Sequence, residues 1–323
     1  MPKPAASQGP IWIPAPDRVG AGMALMTAAM LAAPGIDALA KLATAEATPP
    51  QIGLARFVVQ AVLLAPLMLL GRRLLLPSAS ELGLHAARGA LMGVATVLFF
   101  TALTRMAVAD AIAIFFVEPM ILTLLSALIL REQVGWRRYA ACLVGFGGAL
   151  LIIQPKFQDF GWLAAAPVGA AFCFALYLIL TRRAAQRSDP ISIQFWAGLF
   201  GALTVGAAIA AGGLAGSATF RLAPVSDATL LLLFGVGACA TVSHLAIVAA
   251  FARAPASVLA PFQYLEILSA TALGFLIFGD FPDALTWVGI AIITGSGLVI
   301  VHRERLAEKR ARAQARLSST ASR

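Results

Sequence analysis

VADAIAIFFVEPMILTLLSALILREQVGWRRYAACLVGFGGALLIIQP, residues 108–155, sets two apolar runs on either side of a short basic hinge. Both runs carry few charges, and a helix that crosses lipid needs about 20 mainly apolar residues. Working outward on the same criterion, ten segments read as spans: 19–41, 52–70, 84–104, 107–130, 139–154, 161–181, 191–212, 228–251, 256–278 and 284–301. The fold class is therefore an all-α integral membrane protein with ten transmembrane helices. Gly145, Gly147 and Gly148 lie in the fifth segment, and small residues of this kind let helix backbones approach closely in lipid.

Composition excludes the competing classes. The 323 residues are 60% hydrophobic and 12% charged, whereas soluble domains carry about a quarter charged residues. Net charge is +9, but the cations flank apolar runs, a pattern that orients a chain in a membrane rather than binding nucleic acid. With both termini in the cytoplasm, 19 of the 24 Lys and Arg residues fall inside, Arg88 and the seven from Arg303 to Arg323 among them. Outside remain Lys41, Arg56, Arg105, Lys156 and Arg221. Residues 1–18 hold five prolines and read as a disordered cytoplasmic tail, and residues 302–323 as a basic one. Cys142, Cys173 and Cys239 lack the paired spacing of a zinc site or a disulfide framework, so no metal and no cofactor is expected.

A shift of 148 residues lays the chain on itself. Gly89 meets Gly237, Arg105 meets Arg253, Glu118 meets Glu266, Gly147 meets Gly295, and acidic Glu132 meets Asp280. Each copy, 19–154 and 155–301, holds five of the ten segments. An odd number makes the second copy thread the membrane in the opposite sense, as in the inverted repeats of many secondary transporters. Arg105 and Arg253, equivalent in sequence, then fall on opposite sides.

The stretch from Val108 to Pro155 resembles the second part of an EamA domain of the drug/metabolite transporter superfamily. The companion stretch ASVLAPFQYLEILSATALGFLIFGD, residues 256–280, resembles the same block. Within that superfamily, the residues around Phe116–Glu118 and the Gly-Gly-Ala run ending at Pro155 are similar to bacterial riboflavin transporters. One departure is Gly279-Asp280, where the family more often has Gly-Glu. The resemblance implies two inverted five-helix EamA repeats in a bacterial inner membrane and transport of a small organic metabolite by alternating access. Riboflavin uptake is the leading cargo, and proton-coupled export of amino acids or other metabolites and drugs is the alternative. The implied partners are the small-molecule substrate, the lipid bilayer and protons as the coupling ion.

Acids inside apolar spans are the most informative positions, because a charge in hydrocarbon costs at least about 2.5 kcal/mol on insertion scales. Asp37, Glu118 and Glu266 are the three. Glu118 precedes Pro119, which leaves the carbonyl of Phe115 without its helical donor. Glu266 shares a helix face with Gln263, and Pro261 interrupts that same helix. Asp37 follows Pro34-Gly35, so its helix is expected to bend. Such acids could take protons or hold a polar cargo, or else bond neighbouring helices. Arg56 has a long stem near a helix end, and snorkelling to the headgroups is the expectation, with a pair to Asp37 as the alternative. His244, beside Ser243, is a candidate for cargo or proton contact or for a buried interhelical bond. Phe115, Phe116, Phe262 and Tyr264 cluster around the glutamates in sequence and could stack a planar solute or simply pack, as could Tyr177 and Trp196. Trp162 and Trp287 read as interface anchors. Ser243-His244 and Gly295-Ser296-Gly297 carry no surrounding catalytic box, so an intramembrane enzyme is not expected. The charge split predicts that reporter fusions after Arg187 and after Arg303 report cytoplasm while one in the 213–227 loop reports the exterior. An external signal from the C-terminal tail would overturn this topology.

Overall fold

The computed structural model describes residues 18–70, 77–103, 114–132, 134–153 and 165–273, with scattered positions between 275 and 295. Both tails, Arg105, Pro155, Trp162, Asp280 and half of the expected tenth span lie outside the described residues. The described chain runs α1 (Val19–Ala32), α2 (Pro34–Ala43), α3 (Pro49–Leu70), α4 (Ala79–Leu103), α5 (Glu118–Ile129), α6 (Trp136–Ile153), α7 (Ala165–Ala185), α8 (Pro190–Leu214) and α9 (Asp227–Phe251). The short α10 (Ala256–Leu259) leads into a 3-10 segment (Ala260–Leu265) and then α11 (Glu266–Leu273). Among the described residues, seven helical stretches are long and apolar enough to cross a membrane, α1 with α2 counting as one and α10 to α11 as another. The described structure is all-helical, as lipid demands of a spanning chain that must satisfy its own backbone groups.

Sequence chemistry explains the ends. Asp189 accepts from the amides of Ile191 and Ser192 at 3.1 and 3.2 Å, and Pro190 takes the first position of α8, where its missing N–H is not needed. Ser226 caps α9 by accepting from Thr229 N, while its own amide donates to Glu46 Oε2 at 2.7 Å and ties the two connecting loops together. That bond holds the Glu46 carboxyl below its ordinary 4.5. At the far end of α9, Arg182 of α7 donates to the carbonyl of Phe251, a cation on a helix C-terminus. Glu132 accepts from the amides of Ala256 and Ser257, both at 3.0 Å, and so caps α10 from a different part of the chain.

Helix α4 packs along α7 and α8, α3 along α8 and α9, and α1 and α2 along α9. Contact is close because glycines sit at the crossings. A Cβ on Gly89 would lie 2.8 Å from the amide nitrogen of Gly201, against backbone that cannot rotate away. Arg88, counted on the cytoplasmic side in the sequence, is enclosed by the protein: it is 0% exposed, its Nε donating to Thr181 Oγ1 at 3.1 Å and its Nη1 to the carbonyl of Ile193 at 3.0 Å. It joins α4, α7 and α8 from within, with its guanidinium 5.1 Å from the Tyr177 ring centroid.

Gly89→Ala is therefore expected to lower the thermal midpoint in detergent by the equivalent of about 1–3 kcal/mol, the cost of overpacking. Gly83→Ala, on the same helix with nothing within 4 Å, should leave it unchanged or raise it through helix propensity. Equal effects of the two would refute the tight crossing.

Candidate functional site

Three interruptions in otherwise apolar helices build the site. Pro34 has no N–H, and the chain turns at Ala33 between α1 and α2. Ile36 N donates to Ala33 O rather than one residue further back, so the carbonyls ahead of the break need other partners. Leu31 O accepts from Ser269 Oγ at 2.6 Å and Ala32 O from Cys239 Sγ at 3.5 Å. At the second break Met120 N donates to Val117 O, which releases Phe116 O, and Tyr264 Oη donates to it at 3.2 Å. The third break is the 3-10 segment holding Pro261.

Each interruption is followed by an acid in the first turn of the helix that resumes: Asp37 in α2, Glu118 in α5, Glu266 in α11. A carboxylate at this position faces the positive end of the helix dipole, which is favourable by about 0.3–1 kcal/mol. All three line one open cavity. Glu118 is 1% exposed, and Cys142 and Thr123 pack beneath it around the carbonyl of Pro119.

Cations and amides face the acids. Arg56 of α3 is 7% exposed and lines the cavity rather than reaching the headgroups, so the snorkelling expectation is corrected. Its Nη2 lies 2.6 Å from His244 Nε2 and its Nη1 donates to Thr96 Oγ1 at 3.4 Å, while the guanidinium carbon is 5.2 Å from the Phe57 ring centroid. Asp37 is within its electrostatic reach. A guanidinium has no lone pair to offer, so His244 Nε2 accepts and the ring proton sits on Nδ1. Gln263 and Ser243 complete the polar wall, and Phe99, Phe115, Phe116 and Phe174 the apolar one. Phe115 meets Phe99 edge-on at 5.3 Å and Phe174 at 5.7 Å, and Phe174 stands 6.3 Å from the His244 ring.

Of the eight residues singled out in the sequence, Asp37, Phe115, Glu118, His244, Gln263 and Glu266 come together around the cavity. Phe262 and Tyr264 do not line it. They are 2% and 0% exposed, and Tyr264 packs against Phe116 and over Gly145 of α6. Tyr177 is buried between Arg88 and His244, and Trp196 meets Phe195 edge-on and Phe200 at a tilt and does not line the cavity. Thr96 was missed, and Arg56, expected at the headgroups with a pair to Asp37 as the alternative, lines the cavity within reach of Asp37.

A helical membrane protein whose broken helices gather acids, a cation and aromatic rings around one cavity belongs to the class of small-molecule carriers. The EamA-like transporter family matches the chain twice, at residues 20–154 and 160–302, and the chain belongs to that family. A riboflavin transporter of Vibrio cholerae is 30% identical over 295 residues, 90% of this chain and 96% of that protein. An S-adenosylmethionine uptake transporter of Rickettsia bellii is 26% identical over 80% of this chain and 85% of its own length. One solved crystal structure superposes with a TM-score of 0.72 at 19% identity, over 89% of this chain and 98% of that one, a likeness of fold.

The geometry separates packing from lining. Tyr264→Phe removes one buried hydrogen bond and is expected to lower stability by about 1 kcal/mol while leaving cargo affinity within twofold. A large affinity loss without a stability loss would put Tyr264 in the cavity instead.

Proposed function

We propose that this protein is a secondary carrier that takes up a planar, hydrogen-bonding metabolite, riboflavin first, across the bacterial inner membrane. In this reading it works by alternating access between two inverted five-helix repeats, residues 19–154 and 155–301, joined to cytoplasmic tails at 1–18 and 302–323. The observation that carries it is the meeting of Asp37, Glu118 and Glu266, each opening a resumed helix, around a single cavity with an aromatic wall. Discontinuous helices whose ends face a central cavity are the construction by which carriers bind cargo at mid-membrane. The riboflavin transporter similar over nearly the whole chain supports the cargo.

Phe99, Phe115 and Phe174 suit stacking, worth about 0.5–1.5 kcal/mol for each ring pair. Hydrogen bonds to charged groups contribute about 1.5–3 kcal/mol, so Arg56, Glu118 and Glu266 set selectivity and the rings set moderate affinity. Protons are the proposed coupling ion, exchanging at the cavity carboxyls as the two halves rock.

Expression in a riboflavin-auxotrophic host with no other uptake system should permit growth at low external riboflavin. Glu118→Gln and Glu266→Gln, present in the membrane at wild-type levels, should each cut uptake about tenfold or flatten its dependence on pH. Wild-type uptake by both variants at every pH would remove the glutamates from the mechanism, and failure of the wild-type protein to rescue growth would remove riboflavin.

A further inference from the structure

The pairing of Arg56 with His244 fixes more than the position of either side chain. Because Nε2 of His244 accepts from Arg56, its Nδ1 is a donor, and that atom has no hydrogen-bond partner among the described residues. Arg56 Nε is buried in the same condition. Both residues are more than nine-tenths buried and both line the cavity. Across it, Gln263 Nε2 and Glu118 Oε1 are also buried without a partner among the described residues. Buried polar atoms left unmatched are costly and uncommon in folded proteins; of the seven among the described residues, these four and Ser243 Oγ belong to residues on this cavity, while Arg88 Nη2 and Trp196 Nε1 lie off it. Three of these four atoms are donors.

We propose that Arg56 and His244 form a donor subsite for the carbonyl-bearing edge of a planar heterocyclic cargo. The ring system lies along Phe115 and Phe174, and Gln263 with Glu118 meets the remaining polar atoms. The charge census decides between a carbonyl edge and a carboxylate. Asp37 already answers Arg56, the one guanidinium among the described lining residues, and Glu118 and Glu266 line the same cavity, so a carboxylate cargo would bring a further acid to a site that already holds three. A neutral carbonyl oxygen takes the same hydrogen bonds and adds no charge. The placement of Phe174 beside the His244 ring, at 6.3 Å and nearly perpendicular, sets an aromatic surface next to the donor. Arg56 also draws the two halves of the chain together, since it sits on α3, bonds Thr96 on α4 and bonds His244 on α9. A cargo that takes up its Nε is thereby read by helices from both halves.

This subsite rests on the carrier reading with a planar cargo, and its test separates the two. The full-length protein in lipid nanodiscs is titrated with riboflavin, with 2-thioriboflavin and 4-thioriboflavin, in which one edge carbonyl becomes a weaker acceptor, and with tryptophan as a planar carboxylate. The wild-type protein should prefer riboflavin to at least one thio analogue and to tryptophan. Arg56→Lys keeps the charge but loses Nε, and His244→Phe keeps the ring but loses the donor. Each should weaken riboflavin about tenfold and erase the preference over the thio analogue. His244→Asn, which restores an N–H near the Nδ1 position, should recover part of that preference. A merely structural role would lower the melting temperature and weaken every probe equally, leaving the ratios as in wild type, and that result overturns the subsite alone. Preference for tryptophan over riboflavin assigns the donors to a carboxylate and overturns it as well. Binding of none of the probes by the wild-type protein overturns both the subsite and the riboflavin reading.

Discussion

An apolar solvent leaves a backbone no hydrogen-bond partners except those the protein supplies, and this helical bundle breaks its helices three times under that constraint. At Pro34, at Pro119 and through Ala260–Leu265 the regular ladder stops and restarts. Each unsatisfied backbone group in hydrocarbon costs several kcal/mol, so each break must bring its own repairs. Ser269, Cys239 and Tyr264 provide them by reaching across from other helices to the carbonyls of Leu31, Ala32 and Phe116. The repairs bind α9, α11 and the 3-10 segment to α1 and to the turn before α5. The breaks thus fix which helices must be neighbours, and the cavity is the space their restarted ends enclose.

The acids follow from the same breaks. A helix that restarts exposes amide groups and the positive end of its dipole, and a carboxylate in its first turn answers both. Asp37, Glu118 and Glu266 occupy such first turns. All three have a charged or acidic neighbour close enough to interact, Asp37 with the Arg56 guanidinium and Glu118 with Glu266. Charge brought into an apolar bundle is tolerated only where partners or a polar cavity receive it. Arg88 illustrates the other solution, a buried cation held by Thr181, Ile193 and Tyr177 that joins three helices and does not line this cavity.

The all-helical class, most span positions and the three acids were legible in the sequence because each is a one-dimensional signal: long apolar runs, and charges that interrupt them. Glu118, Gln263 and Glu266 could be placed together because proline marked the helix interruptions beside them. Arg56 and Arg88 could not be placed. Both stand where a cation can reach either headgroups or a neighbouring helix, and only the packing of α3 against α9 and of α4 against α7 and α8 decides between those fates. Phe262 and Tyr264 misled for a geometric reason. They fall in a segment with three residues per turn, where positions i and i+3 eclipse while their sequence neighbours point about 120° away. Gln263 and Glu266 therefore share the cavity face, and the rings on either side of Gln263 are turned into the core.

That same 3-10 geometry bears on how a carrier of this design could move. Its hydrogen bonds are poorer than those of an α-helix and such runs are usually short, so a segment of six residues is a place where winding can change at small cost. The segment is also wholly buried apart from Leu265, pinned at one end by the Glu132 cap on α10 and in its middle by the Tyr264 bond to Phe116. A tightening or loosening of its turns would be passed on to α11, which carries Glu266 on its first turn and whose Ser269 bond to Leu31 O would have to yield. Because Gln263 and Glu266 lie one 3-10 turn apart, such a step changes the distance between Glu266 and Glu118 directly. The pair of glutamates and the irregular segment between α10 and α11 are in this sense one device, in which the backbone's weakest winding sets the spacing of the cavity's two glutamates.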